Sequence, residues 1–131
     1  MQRRIINPWN WQDRFGFVQA NEISAPQRIL ICSGQTSIDA EGRVAHPGDM
    51  AAQIEDSLNN LETVLHQAGF QLSDVFRLNW YTTDVDRFRE AADVRARRLA
   101  SAGCRPASTL LGVSRLAYPE LLVEIEATAA A

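Results

Sequence analysis

The sequence is short of the residues on which much protein chemistry depends. It has two cysteines, Cys32 and Cys104, and two histidines, His46 and His66, in 131 residues. No CxxC pair occurs and neither cysteine has a histidine at ligand spacing, so no metal site is expected, and both read as free thiols with Cys32 inside the core. The same scarcity leaves no Ser-His-Asp or Cys-His arrangement. There is no glycine-rich phosphate loop. No apolar run approaches the roughly 20 residues of a membrane span. Met1 to Ile5 leads into no apolar signal core, so the expected compartment is the cytosol, without a membrane partner. Positive charge is not in excess either: Lys and Arg total 13 against 16 Asp and Glu, a formal charge of -3. That balance gives no general attraction to a phosphate backbone and argues against a nucleic-acid partner.

What remains is an ordinary globular balance, with 46% hydrophobic and 22% charged residues. A chain of this length reads as one domain, residues 1–131, burying about two thirds of the surface its unfolded form exposes. Arg3 to Asn7 suits a short edge strand stopped by Pro8, which lacks a backbone donor. Trp9, Trp11, Phe15 and Phe17 then crowd together. They either pin down a loop through buried ring area or line part of a pocket. Phe17 to Ile23 and Arg28 to Cys32 read as a hairpin around Ser24-Ala25-Pro26-Gln27. Ser33-Gly34-Gln35 follows, where glycine permits a close approach of main chain to ligand.

Asp49 is a helix N-cap, and Ile54, Leu58, Leu61, Leu65 and Ala68 recur at helical spacing until Gly69. Asp74 to Thr82 reads as a strand. Asp84 caps a second helix running to about Ala102, with Val85, Phe88, Ala92 and Leu99 inward. Its Arg95, Arg97 and Arg98 read as cations complementing the C-terminal dipole. Two apolar strands end the chain, one from Arg105 to Leu116 and one from Leu121, joined through a turn at Tyr118-Pro119-Glu120. In the last, Leu121, Val123, Ile125 and Ala127 point one way while Leu122, Glu124, Glu126 and Thr128 point the other. The order β-β-β-α-β-α-β-β predicts an α/β (α+β) fold, a six-stranded mixed sheet with two helices on one face. Ile29 and Ile31 oppose Leu30 and Cys32, and Leu110 opposes Leu111. A sheet apolar on both sides with one side uncovered predicts self-association.

The two glutamates of the last strand are the chemical feature. A glutamate in a largely apolar interface has its pKa raised by desolvation and can pass protons to and from water or an imine nitrogen near neutral pH. The alternative is that Glu124 and Glu126 are both salt-bridged to arginines across the sheet. On residue chemistry alone the two readings stand level.

Four segments together carry a resemblance. They are Ser33-Gly34-Gln35, the helix Gln53-Ile54-Glu55-Asp56-Ser57-Leu58-Asn59-Asn60-Leu61, Asp84-Val85-Asp86-Arg87-Phe88, and Arg105-Pro106-Ala107-Ser108 leading to Val123-Glu124-Ile125-Glu126-Ala127. In order and over nearly the whole chain they resemble the Rid (YjgF/YER057c) family of reactive-intermediate deaminases. The resemblance implies a chorismate-mutase-like fold and a homotrimer whose sheets form an inner barrel, with three ligand clefts between subunits. It implies hydrolysis of enamine or imine metabolites without metal or cofactor; other members are described as ribonucleases or translation inhibitors.

Carried over residue by residue, Glu124 takes the place of the glutamate that positions the attacking water. Ser33 and Gly34 take those of residues lining the cleft. The family's pocket tyrosine falls on Phe17, its substrate-carboxylate arginine on Ser108, and a helix asparagine on Ala92. Thr109 and Leu110 beside Ser108 join the expected ligand contacts, with Trp9, Trp11, Phe15 and Arg105 as candidates for the pocket wall. Serine cannot supply a forked cationic grip. Arg105 could, although strand alternation works against its reaching the face of Ser108. The expected function is a small-molecule-binding protein that hydrolyses a C=N bond through Glu124; the alternative is a non-catalytic binding or regulatory trimer.

Overall fold

The computed structural model of the chain describes residues 1–131. Its elements run β1 (Gln2–Ile6), β2 (Ala20–Ser24), β3 (Ile29–Ile31), α1 (Met50–Gln67), β4 (Val75–Thr82), α2 (Val85–Glu90), α3 (Ala92–Ser101), β5 (Leu110–Gly112) and β6 (Val123–Ala130). The Asp49 side chain accepts from Ala52 N at 3.0 Å and starts α1. Gly69, at φ 79°, lets the chain turn away after it. Ile54, Leu58, Leu61 and Leu65 are fully buried against Leu78, Trp80, Val123, Ile125 and Ala127 of the sheet. Truncating one such leucine to alanine typically costs about 2–5 kcal/mol.

The fold is α+β with mixed strand pairing, as expected, but the layer is divided. Four strands form one sheet in the order β3-β6-β4-β5, with β4 and β5 parallel and the other pairs antiparallel; β1 and β2 form a separate antiparallel pair. The expected hairpin of β2 with β3 is therefore corrected. β2 pairs back onto β1, while Ile29 to Ile31 cross to the edge of β6. Segment 105–107 joins the two sheets. Val18 N donates to Pro106 O, and Ala107 bridges both Val18 and Arg77. Pro106 has no N–H to extend that ladder, so the seam stays a bridge rather than becoming a continuous sheet. Arg3 and Asn21 reinforce it, each donating to Arg105 O.

Three other expectations change, on the second helix, the pairing of the last two strands and the open face of the sheet. The second helix is two, because the backbone at Ala91 (φ -95°, ψ 14°) leaves helical geometry between α2 and α3. No glycine or proline marks that position. β5 and β6 are not neighbours, since β4 lies between them. A register shift between Val75 and Arg77 puts fully buried Val75 in the core with Leu78 and Trp80. The sheet face away from the helices is apolar only at its two edges, where Ile29, Ile31 and Leu111 are exposed, Ile31 at 79%. Its central strands present Arg77, Asn79, Tyr81, Glu124 and Glu126.

Candidate functional site

Glu124 is held in place by an isolated bridge from the segment between β3 and α1. Gln35 and Ile125 exchange two backbone hydrogen bonds, Gln35 N to Ile125 O at 2.7 Å and Ile125 N to Gln35 O at 3.0 Å. That pairing lays Gly34 directly over the Glu124 side chain. A Cβ on Gly34 would come within 2.8 Å of Glu124 Cδ, closer than real Cβ contacts come, so glycine is what leaves room for the carboxylate in this position. Two side-chain amides of α1 fix the surroundings. Asn60 Nδ2 donates to Thr36 O and Ile38 O, and fully buried Gln53 reaches Glu120 O and accepts from Leu122 N. Both flanks of Glu124 are thus tied to one helix.

The two glutamates have opposite environments. Glu126 accepts hydrogen bonds from Tyr81 Oη and from Asn79 Nδ2, which hold its carboxyl below the usual range. Glu124 accepts no protein hydrogen bond and belongs to no ion pair. Desolvation lifts its pKa above the ordinary carboxylate value, and the nearby charge of Glu126 adds to the lift. The salt-bridged alternative is thereby set aside for both. Other nucleophiles and bases are poorly placed: burial pushes the Cys104 thiol up to about 12 and raises Cys32 as well. All 13 basic side chains are arginine, so no lysine can form a Schiff base with a substrate.

A second constellation lies on the helix side of the sheet, at the β5 edge. Here a cavity of about 530 Å³ has Trp11, Phe15 and Phe17 along one wall, and Val85, Ala92, Ser108 and Leu110 opposite. Trp11 and Phe17 meet edge to face at 5.9 Å. Ser108 Oγ donates to Leu78 O at 2.5 Å. Pairing of Trp80 with Leu110 and of Tyr81 with Leu111 and Glu124 sets the parity of the sheet. Ser108 and Leu110 therefore face the helices, whereas Thr109 faces the open side with Glu124 and takes a hydrogen bond from Arg77.

Of the residues singled out in the sequence, Trp11, Phe15, Phe17, Ser108 and Leu110 come together in this cavity. Gly34 and Glu124 form a separate group, with Ser33 exposed next to Gly34 in the chain. Arg105 and Trp9 join neither: both line a shallow hollow beside Asn7 and Pro8, and Trp9 is 61% exposed. Arg105 therefore does not line the cavity beside Ser108, as strand alternation predicts; it stands in two neighbouring hollows that Trp11 and Phe17 also line. The cavity also holds three arginines that the sequence reading did not place there, Arg14, Arg89 and Arg95. For Arg95 a signal existed. It lies seven residues after Phe88, three after Ala92 and four before Leu99, inside the apolar stripe of its helix.

The architecture is an α+β fold with helices on one sheet face and an unpaired glutamate on the other. The family model described as endoribonuclease L-PSP matches residues 14–131, and the chain belongs to this family, the Rid (YjgF/RutC) proteins. A RutC family protein of Pyrococcus horikoshii is 33% identical over 101 residues, 77% of this chain and 78% of the relative. A protein of Escherichia coli named 2-iminobutanoate/2-iminopropanoate deaminase is 30% identical over 103 residues, with 77% and 78% covered. Among solved structures, a Rid-family protein of unknown function from Yersinia pestis superposes with TM-score 0.88 at 35% identity, covering 100% of both chains.

Proposed function

We propose that this chain assembles as a homotrimer and binds a small metabolite in clefts between subunits, where Glu124 positions water to hydrolyse a C=N bond. The observation that carries this is Glu124 itself, a desolvated carboxylate without a protein partner, seated under a glycine. In one chain the Gly34-Glu124 group and the Phe17-Ser108 cavity lie on opposite sides of the sheet. They can share one ligand only if different copies supply them. The exposed edges at Ile29, Ile31 and Leu111 give an assembly apolar surface to cover.

In the reaction, water adds to the carbon of the protonated imine as Glu124 takes one of its protons, giving a neutral carbinolamine. The carboxylic acid returns that proton to nitrogen; the hydroxyl then gives up its proton to the Glu124 carboxylate as the C=O bond forms and the C–N bond breaks, and ammonia and a carbonyl compound leave. A carboxylate with a raised pKa suits these transfers near neutral pH. The test is ammonia release from freshly generated 2-iminopropanoate, with Glu124→Gln expected to abolish turnover while sedimentation still gives a trimer. Turnover unchanged by E124Q would refute the catalytic role, and a monomer at micromolar concentration would refute the cleft. A second reading, a non-catalytic binding trimer, is favoured by Phe17 and Ser108, which lack the hydroxyl and the guanidinium that the family resemblance places there. Trimerisation and ligand binding without ammonia release would select it.

A further inference from the structure

Arg95 is the most unusual side chain in the molecule. It is 9% exposed, its Nε is buried without a hydrogen-bond partner, and it joins no ion pair. Its guanidinium packs against the rings of Phe88, at 4.8 Å from the centroid, and Trp80, at 5.6 Å. Ring faces compensate a cation only in part. A buried charge without an anion is otherwise costly. One turn further along α3, Arg98 is fully provided for by Glu55, Glu62 and Asn59. The protein supplies Arg95 with nothing comparable.

What Arg95 does have is the cavity at the β5 edge. Arg14 and Arg89 stand exposed on its lining and likewise belong to no ion pair, and no aspartate or glutamate lines it. Three cations thus converge on one apolar hollow of a protein whose formal charge is -3. A low-dielectric hollow lined by one sign of charge focuses the field on a ligand of the other sign. Ser108 already spends its donor on Leu78 O, so it offers an anion nothing. The volume falls in the range of small-molecule sites, and the Trp11-Phe17 wall offers ring surface for a planar body.

We propose that this cavity is an anion site anchored by Arg95 on α3, and that it takes an organic carboxylate with an apolar, ring-sized body. As the substrate-binding wall of an intersubunit cleft it rests on the reading above; as an anion site it is testable by itself. The probe is phenylacetate, titrated into the assembled protein and followed by calorimetry and tryptophan fluorescence. Saturable binding is expected, weakening as salt is raised. The neutral isostere phenylacetamide should bind at least about tenfold more weakly, because charge-assisted bonds to guanidinium are lost.

Arg95→Met should cost a similar factor, with Arg95→Lys intermediate. The exposed double variant Arg14→Gln/Arg89→Gln, which leaves the core untouched, should weaken binding a few-fold. Equal affinity for acid and amide, or no saturation by millimolar phenylacetate, would overturn the proposal without any variant having to fold. Binding through Arg95 with no ammonia release would sink the hydrolase reading alone, and the reverse result would sink the anion site alone.

Discussion

One four-stranded sheet carries an unpaired anion on its open face and an unpaired cation on its helix face. Glu124 stands opposite Tyr81 and Arg95 stacks against Trp80, so one register step of β4 separates the two. Some partly buried charges are instead neutralised within the chain, as with Arg98 between Glu55 and Glu62. The contrast teaches that these two were left uncompensated where a ligand or a second copy can reach them. Proteins concentrate such uncompensated groups at working sites.

The sharpest way to break the comparison is to neutralise one face and read the other. Removing a general acid-base group commonly costs about 100-fold or more, so E124Q should reduce ammonia release from 2-iminopropanoate by at least that factor. Next in size is Gly34→Ala. The added methyl would fall on the Glu124 carboxylate, and a displacement of about 1 Å can lower turnover between 10- and 100-fold. The thermal midpoint should hardly move, because the glutamate can swing toward solvent. If Gly34→Ala were as active as the parent, the carboxylate position would not matter.

A smaller effect sharpens the distinction between the two glutamates. Glu124 works as a base only when ionised, so activity should fall as pH drops through its raised pKa. Glu126→Gln removes the second cause of that rise, the neighbouring negative charge, and leaves the first, desolvation. The acid limb of the pH profile should therefore move to lower pH by less than about one unit, without reaching the ordinary carboxylate value. A shift in the opposite direction would mean that Glu126 acts through its hydrogen bond with Tyr81 rather than through its charge.

Much of the open-face half of this picture is readable in the sequence. Alternation from Leu121 to Thr128 separates buried Val123, Ile125 and Ala127 from Glu124 and Glu126, and the stripe from Ile54 to Leu65 with Asp49 ahead of it fixes α1. Period and capping are local properties, so they survive translation into structure. Pairing partners are not local. Nothing in β2 says that it joins β1 rather than β3, and nothing in β5 says that β4 will lie between it and β6. The helix-face half was hidden by the charge of its main residue: Arg95, read with Arg97 and Arg98, looks like one of a solvated trio. Only its position in the stripe of Phe88, Ala92 and Leu99 separates it from them.

The smallest effect expected is on stability, and it bears on whether Glu124 is truly uncompensated. A carboxylate whose folded pKa lies above its unfolded value binds a proton more readily in the folded state. Its favourable contribution is complete below the unfolded pKa and is lost as pH rises through the folded one. Glutamine does not titrate, so E124Q should gain stability relative to the parent across that window and keep the gain at neutral pH. Because the side chain is only partly buried, the gain should be about 0.5 kcal/mol or less. Urea unfolding of both proteins at pH 4 and pH 7, at one fixed protein concentration, measures it. A relative loss at neutral pH would show that Glu124 has a stabilising partner after all, and the asymmetry between the two faces would disappear.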